Sequence, residues 1–322
     1  MSGGYADRLK HYPHKGVCGL PEQLDTERQL ASKLELLVKR VWAAKHLVVF
    51  TGAGISTAAG IPDFRGPSGI WTVEQAREKE QKKEARRRKR RRQIGAEEEE
   101  PLPPPEQPKA EDDAAPKSEA AAGPSDAAAA PLAMSNDAQV DFATAQPTYT
   151  HTALVELAKR GHLKYLITQN VDGLDQRAGF PRDRMAVLHG CIFEEKCDKC
   201  GKITLRDRPV DTISFQPTGS VCKDCGPGKG VVRDTLLDWE DPLPEDELFA
   251  AQEHCEQSDL VLALGTSLRI EPAGGMPKTA GSFILVNLQQ TPYDNDAALI
   301  VRAPVDLVLQ AIMSEAPPMP EG

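Results

Sequence analysis

An apolar run from Leu47 to Phe50 leads directly into the glycine-rich segment "GAGIS", which begins at Gly52. A strand that enters a glycine turn presents backbone N–H groups that can cradle a pyrophosphate. The dehydrogenase fingerprint G-x-G-x-x-G requires a third glycine where this chain has Thr57, and the unusual "GIPDFRG" follows from Gly60. The segment predicts an α/β nucleotide-binding unit that departs from the redox pattern, with an ordinary tight turn as the alternative for so short a motif.

The remaining sequence alternates between helical and strand patterns. Thr26 and Gln29 can form a capping box, and one helical face carries Leu30, Leu34, Leu37, Val38 and Val41. The segments "THTALVELAKRG" and "PVDLVLQAIM" read as helices, whereas "LKYLITQN", "SDLVLALGTSL" and "GSFILVNLQQ" read as strands that are apolar throughout. Such strands, separated by helices, predict a parallel sheet covered on both faces. Ligands of these sheets bind beyond the carboxyl ends of the strands.

Four of the seven cysteines form two C-x-x-C pairs. The pair Cys197 and Cys200 is separated from the pair Cys222 and Cys225 by 21 residues. The first residues, "MSGGYADRLKHYPHKG", lack the apolar core of a signal peptide, so we expect a reducing compartment and favour a metal over disulfides. Four thiolates complete a tetrahedral zinc shell without an open position, so the predicted zinc is structural, with one ion per chain.

Residues 76–140 differ in composition from the rest of the chain. They are rich in charged residues, proline and alanine and cannot build a core, so we predict that they are disordered. A basic run, Lys82–Arg92, is typical of a nuclear localisation signal or a DNA-contacting tract, with a solvated charge block as the alternative. The neighbouring Glu97–Glu100 could shield it, and the net charge of −9 argues against the whole chain being a polyanion binder. No apolar run is long enough to predict a membrane span.

These patterns predict an α/β fold, with a Rossmann-like parallel-sheet domain, a small zinc-binding module and a disordered insert. The expected boundaries are 1–46 for an N-terminal extension and helix, 47–75 and 141–190 for the first parts of the Rossmann-like domain, 76–140 for the insert, 191–232 for the zinc-binding module, 233–312 for the last part of the Rossmann-like domain, and 313–322 for a tail.

The order of the short motifs is more specific than any one of them. The segments "GAGIS", "GIPDFRG", "TQNVDGL", "LHG", "GTSL" and "VNLQ", with the cysteine quartet, are spread over residues 42–75 and 148–307. In this combination the chain closely resembles the sirtuins, NAD-dependent protein deacylases, and "KGVCGLPE", "AGFPRD" and "RDTLLDWED" resemble the sirtuin 6 subfamily in particular. The chain departs from many sirtuins at Asp175, where histidine is common, at Asp238-Trp239-Glu240, where phenylalanine, glycine and glutamate are common, and at Ala303-Pro304.

The resemblance implies roles for individual positions. His189 is the implied general base, a role that suits imidazole because it titrates near neutrality. Asn170 and Asp172 are implied to surround the nicotinamide carboxamide, together with Asp63. The residues that the resemblance places around NAD are Ala53, Thr57, Asp63, Phe64, Arg65, Trp71, Gln169, Gly265, Ser267, Asn287, Gln289 and Val305.

The reaction implied by the resemblance consumes NAD as a co-substrate and releases nicotinamide, 2'-O-acyl-ADP-ribose and free lysine. The expected partners are acyl-lysine proteins, histones above all, with contact to chromatin or DNA, a nuclear location and no membrane. Two alternatives stay open: a protein mono-ADP-ribosyltransferase, which shares the first half of the reaction, and a weakly catalytic chromatin scaffold that senses NAD. His189 favours deacylation, because pure transfer does not need the second step.

Overall fold

The structure, a computed structural model, describes residues 5–12, 15–97 and 142–318. Of the described residues, 5–12, 15–75 and 142–318 belong to one compact unit and 76–97 to a second. In the part of the chain that the structure describes, no helix has the length and apolar character needed to cross a membrane.

Two sheets build the larger unit. The strands, in chain order, are β1 (Leu47–Thr51), β2 (Leu163–Thr168), β3 (Met185–Val187), β4 (Glu194–Cys197), β5 (Ile203–Leu205), β6 (Pro217–Val221), β7 (Val231–Asp234), β8 (Leu260–Leu264), β9 (Phe283–Val286) and β10 (Leu299–Val301). Six of them form a parallel sheet with the order β10-β9-β8-β1-β2-β3, and the other four form an antiparallel sheet with the order β5-β4-β7-β6. The predicted α/β class and parallel sheet are confirmed.

Helices cover the parallel sheet on both faces. Helices α2 (Glu27–Ala43), α4 (Tyr149–Lys159) and α7 (Val305–Ser314) pack in the core on one face, and α6 (Glu245–Gln257) packs in the core on the other. The remaining helices are α1 (Tyr5–Arg8), α3 (Ile70–Glu97) and α5 (Leu174–Arg177). Alternate side chains of β1 enter different cores: Leu47 and Val49 pack in one, and Val48 and Phe50 in the other. Because successive residues of a strand point to opposite faces, both faces of this strand are buried, as its continuous apolar run predicts.

Local sequence signals explain where helix α2 begins and where helix α4 ends. The Thr26 side chain accepts a bond from the Gln29 backbone N–H and the Gln29 side chain accepts one from Thr26 N–H, so the capping box predicted at the start of α2 is confirmed. Helix α4 ends before Gly161, whose φ of 68° lies in the left-handed region that glycine adopts without strain.

Helix α3 corrects the predicted extent of disorder. The composition predicts disorder from residue 76, but residues 76–97 continue a helix that begins at Ile70, so the prediction is wrong for this stretch. The stretch is dominated by Lys, Arg, Glu, Gln and Ala, which favour helix, and i,i+4 ion pairs such as Lys82–Glu78 and Arg88–Glu84 support it without a core. Residues 98–140, also predicted to be disordered, lie outside the described residues.

The register of the parallel sheet aligns the carboxyl ends of its strands. Thr51 at the end of β1 pairs with Thr168 of β2 and with Leu264 of β8. Thr168 in turn pairs with Val187 of β3, and Leu264 with Val286 of β9. The segments that follow these five strand ends therefore emerge along a single edge of the sheet, where ligands of open α/β sheets bind.

Candidate functional site

The glycine loop is fixed to the end of β8 by its backbone. Gly52 N–H donates to Leu264 O at 3.1 Å, and Gly54 N–H donates to Gly265 O at 2.8 Å. A Cβ atom on Gly54 would lie 2.7 Å from the Gly265 Cα, so only glycine permits this approach. The loop continues as two single 3₁₀ turns, Ala53–Ile55 and Thr57–Ala59, rather than the α-helix of a dinucleotide fold. The result is a shallow, backbone-lined floor at the sheet edge.

A cleft of about 320 Å³ opens above this floor. All but three of the catalytic and cofactor residues implied by the resemblance line it. Those that do are Ala53, Asp63, Phe64, Arg65, Trp71, Gln169, Asn170, His189, Gly265, Ser267, Asn287 and Gln289.

Asp172, Thr57 and Val305 do not line the cleft. Asp172 is buried and lines a smaller cavity of about 20 Å³ that shares Asn170 with the cleft. Thr57 is exposed, and its hydroxyl donates to Gly54 O at 3.1 Å. Val305 begins α7 and packs in the apolar core, so a direct cofactor contact from its side chain is not what this structure shows.

The loop after β2 is held by hydrogen bonds to the glycine loop. Asn170 Nδ2 donates to Gly52 O at 3.2 Å and to Ser56 Oγ at 3.4 Å. Ser56 Oγ donates in turn to Asp172 Oδ2 at 2.7 Å, and Leu174 N–H donates to Asp172 Oδ1 at 2.9 Å. Asp172 therefore holds Ser56 directly and Asn170 through Ser56, and it does not line the open cleft.

His189 is oriented by a single backbone contact. Its Nδ1 lies 3.1 Å from Gln169 O, and because a carbonyl oxygen only accepts, Nδ1 carries the hydrogen and Nε2 is left with a free electron pair. Removal from water lowers the pKa of His189 to about 4, and the nearby Arg65 charge acts in the same direction, although the bond to Gln169 opposes them. At neutral pH the imidazole is uncharged and able to accept a proton.

This lowered pKa predicts the acid limb of the pH profile. We expect kcat/KM for an acylated peptide to fall with a midpoint well below pH 6.5, because His189 stays unprotonated until the pH approaches about 4. The measurement is kcat/KM from roughly pH 3.5 to 8, with circular dichroism at each pH to confirm that the chain stays folded. A midpoint at or above the ordinary histidine value of about 6.5 would contradict the tautomer and burial described for His189.

Aromatic side chains form one wall of the cleft. Phe64 and Trp71 have ring centroids 4.6 Å apart, and Trp71 lies 4.8 Å from Trp239. The Arg65 guanidinium lies 4.4 Å from the centroid of the Trp71 ring, a cation–π contact. The sequence identifies Trp239 as a departure from the family pattern but does not predict its position. In the structure, Trp239 lines the cleft.

The segment before α2 closes one end of the cleft. Tyr5 and Leu9 line the cleft, and the Tyr5 hydroxyl donates to Leu237 O at 3.2 Å. Tyr12 stacks on Trp239 with ring centroids 4.8 Å apart. The sequence does not predict these contacts, because a short polar segment carries no periodic pattern.

The four cysteines of the predicted zinc site converge in the antiparallel sheet. Their Sγ atoms all lie within 4.8 Å of one another, with Cys197–Cys225 at 4.0 Å and Cys200–Cys222 at 3.6 Å. Tetrahedral zinc with Zn–S bonds of about 2.3 Å requires Sγ–Sγ separations of about 3.8 Å, so the set fits a closed structural zinc site.

The sequence model of the Sir2 family matches residues 52–99 and 110–272, and the chain belongs to this family. The NAD-dependent protein deacetylase SRT1 of Oryza sativa subsp. indica is 40% identical over 319 residues, which are 97% of this chain and 54% of that protein. The NAD-dependent protein deacetylase Sirt6 of Drosophila melanogaster is 34% identical over 322 residues, covering 97% of this chain and 84% of that protein. The predicted resemblance to sirtuins is confirmed. The chain spans about half the length of the plant SRT1 relatives.

Solved Sir2 structures share the fold. One, a Sir2 mutant with a deacetylated p53 peptide and 3'-O-acetyl ADP ribose, has a TM-score of 0.54 and 25% identity, covering 88% of this chain and 98% of that one. A second, a Sir2 complex with a p53 peptide and NAD⁺, has a TM-score of 0.52 at 24% identity and supports the fold alone.

Proposed function

We propose that the chain is an NAD-dependent protein-lysine deacylase that uses NAD as a co-substrate. The observation that carries the proposal is His189, which lies in the same cleft as the glycine floor and whose Nδ1 is bonded to Gln169 O. Its Nε2 has no hydrogen-bond partner among the described residues and can accept a proton. The printed names of the SRT1 and Sirt6 relatives, which are NAD-dependent protein deacetylases, support it.

Bound NAD would supply an electrophilic ribose carbon and a leaving nicotinamide. Gly52, Gly54 and Gly265 line the cleft, and the close backbone approach that they permit between the glycine loop and the end of β8 forms its floor. His189 would accept a proton from a ribose hydroxyl during acyl transfer, which is the role of a general base. Arg65, buried but still a cation, would face the phosphates or ribose, and the apolar Phe64 and Trp71 would exclude water from the reacting centre.

The products separate this proposal from its two alternatives. An acetyl-lysine peptide incubated with the protein and NAD is expected to yield free lysine, nicotinamide and 2'-O-acyl-ADP-ribose, identified by mass spectrometry. ADP-ribose attached to protein without deacylated lysine would establish the mono-ADP-ribosyltransferase instead. Binding of NAD without either product would leave the NAD-sensing scaffold, and deacylation in the absence of NAD would overturn the proposal.

A further part of the proposal is that the protein acts in the nucleus on histones and contacts DNA. It is supported by a stripe of six basic residues along one face of α3, which we term the basic stripe. The stripe consists of Lys79, Lys82, Lys83, Arg86, Arg87 and Arg90. Spacings of three and four residues place them on one helical face. Arg86 and Arg87 have no ion pair within the described part of the chain, so their charges are available to phosphates.

The basic stripe predicts a charge-specific effect on DNA binding. Arg86→Gln with Arg87→Gln should weaken binding of a random duplex and reduce the slope of log K against log salt by roughly two, since each phosphate contact contributes about 0.9. The matched control is Arg77→Gln with Arg88→Gln, which removes two charges from the opposite side of the helix. Equal losses of DNA affinity in the two double variants would show that the total charge of α3, not the basic stripe, determines binding. Unchanged DNA affinity in both would contradict the proposed DNA contact.

A further inference from the structure

Arg302 is a buried arginine that directly follows β10 and does not line the cleft. It is 7% exposed. One residue fixes its backbone on both sides, because Arg302 N–H donates to Asp25 Oδ2 at 2.8 Å and Asp25 N–H donates to Arg302 O at 2.9 Å. Removing a cation from water is costly unless acceptors surround it. The guanidinium group must therefore be matched by oxygen atoms inside the protein.

Three oxygen atoms in the turn after β9 match this guanidinium group. Arg302 Nη1, which carries two hydrogens, donates to Asn287 O at 2.8 Å and to Gln289 O at 2.7 Å. Nη2 donates to Asp294 Oδ2, and the other oxygen of that carboxylate accepts Thr291 N–H at 2.9 Å. The ion pair of Arg302 and Asp294 therefore holds the backbone of residues 287–291 at both ends.

The same turn presents two amide side chains to the cleft. Asn287 and Gln289 both line it. Asn287 Nδ2 donates to Gln289 O at 2.8 Å, and Gln289 Nε2 donates to Arg65 O at 3.3 Å. Since carbonyl oxygens only accept, these bonds orient the NH₂ groups and leave Asn287 Oδ1 and Gln289 Oε1 as acceptors, without a partner in the described ranges. Two such acceptors suit the hydroxyl groups of a ribose.

The order of the parallel sheet separates these acceptors from His189. Asn287 follows β9 and His189 follows β3, and these strands are four strand spacings apart, or about 19 Å. The glycine loop follows β1, which lies between them in the sheet. His189 would act on the ribose that bears nicotinamide, and the pyrophosphate would lie on the glycine loop. The adenosine half of NAD would therefore lie toward Asn287 and Gln289.

We propose that Arg302 is a positioning residue for the adenosine half of NAD. By holding the backbone carbonyls of Asn287 and Gln289, it keeps the two side-chain oxygens available to the hydroxyls of the adenosine ribose. Arg302 does not line the cleft, so it acts through this turn. The inference rests on the proposed function, because the ligand that the turn would hold is NAD.

The experiment replaces Arg302 with methionine, which keeps an unbranched stem and removes every donor. We expect the Kd of ADP-ribose, measured by calorimetry, and the KM of NAD each to rise by about tenfold, the size of a lost hydrogen bond to a charged group. At saturating NAD, kcat and inhibition by the product nicotinamide should stay within about twofold, because their groups lie at the other end of the cleft. An equal loss at both ends, with kcat and nicotinamide affinity falling as well, would overturn the proposal.

Arg184 provides the matched control. Its guanidinium group also donates to two backbone carbonyls, Ala158 O at 3.0 Å and Leu163 O, but Leu163 begins β2, at the sheet edge opposite the cleft. Arg184→Met should leave the Kd of ADP-ribose within about twofold of the wild-type value. A tenfold loss in Arg184→Met as well would show that ADP-ribose affinity follows the general loss of a buried arginine, and would overturn the role given to Arg302.

A double variant separates positioning from the effect of an unpaired charge. Arg302→Met leaves the carboxylate of Asp294 without its cation, which can destabilise the fold. Adding Asp294→Asn removes that charge and keeps an oxygen that can accept Thr291 N–H. The double variant should show the same tenfold loss of ADP-ribose affinity, since it also lacks the guanidinium group. Wild-type affinity in the folded double variant would overturn the proposal.

Hydrogen exchange of the free protein tests the turn without NAD. Exchange of the Thr291 amide should be about tenfold faster in the double variant than in the wild-type chain, because the turn opens more often. An unchanged rate would show that Arg302 does not hold the turn. If exchange accelerates as expected but the wild-type chain binds neither NAD nor ADP-ribose, the proposed function fails, and with it the ligand assigned to the turn.

Discussion

Replacing His189 with alanine is expected to lower the rate of peptide deacylation by about 10²- to 10⁴-fold, the usual contribution of a general base. The variant should stay folded, because the side chain is half-buried and its ring makes one hydrogen bond within the described residues, to Gln169 O. NAD affinity should change little, since the glycine floor and the Asn170 contacts do not involve the imidazole. The measurements are single-turnover deacylation and calorimetric NAD binding.

The matched control is His46→Ala, which removes a partly exposed histidine that is bonded to His254 and does not line the cleft. It should deacylate at nearly the wild-type rate. If His189→Ala also keeps a near-normal rate while folded, proton transfer does not depend on this imidazole. If it loses NAD binding instead, His189 holds the cofactor rather than acting as a base.

Replacing Cys222 with serine is expected to remove the one zinc ion and to unfold the antiparallel sheet. The buried Cys222 Sγ is one of four that fit a tetrahedral site, and structural zinc in small domains contributes about 10–16 kcal/mol of binding free energy to folding. Deacylation should also fail, although no catalytic group is removed. The reason is that residues just after β7 contact the segment that carries His189. Leu237 N–H donates to His189 O at 3.3 Å, and Cys191 N–H donates to Thr235 Oγ1 at 3.1 Å.

Metal analysis and activity of purified protein check this expectation, with Cys18→Ser as the control for loss of a cysteine outside the cluster. The control should keep one zinc per chain and its activity. Full zinc content in Cys222→Ser would show that the four cysteines do not form the site. Zinc loss with full activity would show that the His189 contacts to the exit of β7 do not position the base.

Continuous apolar patterns made the sheet predictable. The runs in β1, β2, β8 and β9 indicate buried strands, and their carboxyl ends indicate the ligand edge. The strands β3 and β10 escape prediction because each has three residues, too few to show a period. Strand order likewise follows from pairing between distant segments, which local sequence does not specify.

The candidate site was predictable where a motif carries the chemistry and unpredictable where packing decides. His189, Asn170 and the glycines lie together because each follows a strand end. Val305 does not line the cleft because its side chain, at the start of helix α7, packs in the core, which local sequence does not specify. Its cofactor role stays a prediction. Trp239 and Tyr5 reach the cleft through long-range stacking and bonding that no local pattern reveals.

The predicted disorder of residues 76–97 fails for a related reason. Low hydrophobicity excludes a packed core, yet a helix needs no core where its residues have helical propensity and opposite charges recur every fourth position. Composition therefore excluded burial correctly but not secondary structure.

The most direct test of the central claim is the stoichiometry of one turnover. Wild-type protein is mixed with NAD and an acetyl-lysine peptide, and nicotinamide and free lysine are counted by mass spectrometry over the same time course. The structure predicts one nicotinamide released for each lysine freed, no deacetylation without NAD, and neither free lysine nor acyl-ADP-ribose above background with His189→Ala. Free lysine formed without nicotinamide, or reduced NAD appearing among the products, would contradict the assignment of this cleft as an NAD-consuming deacylase site.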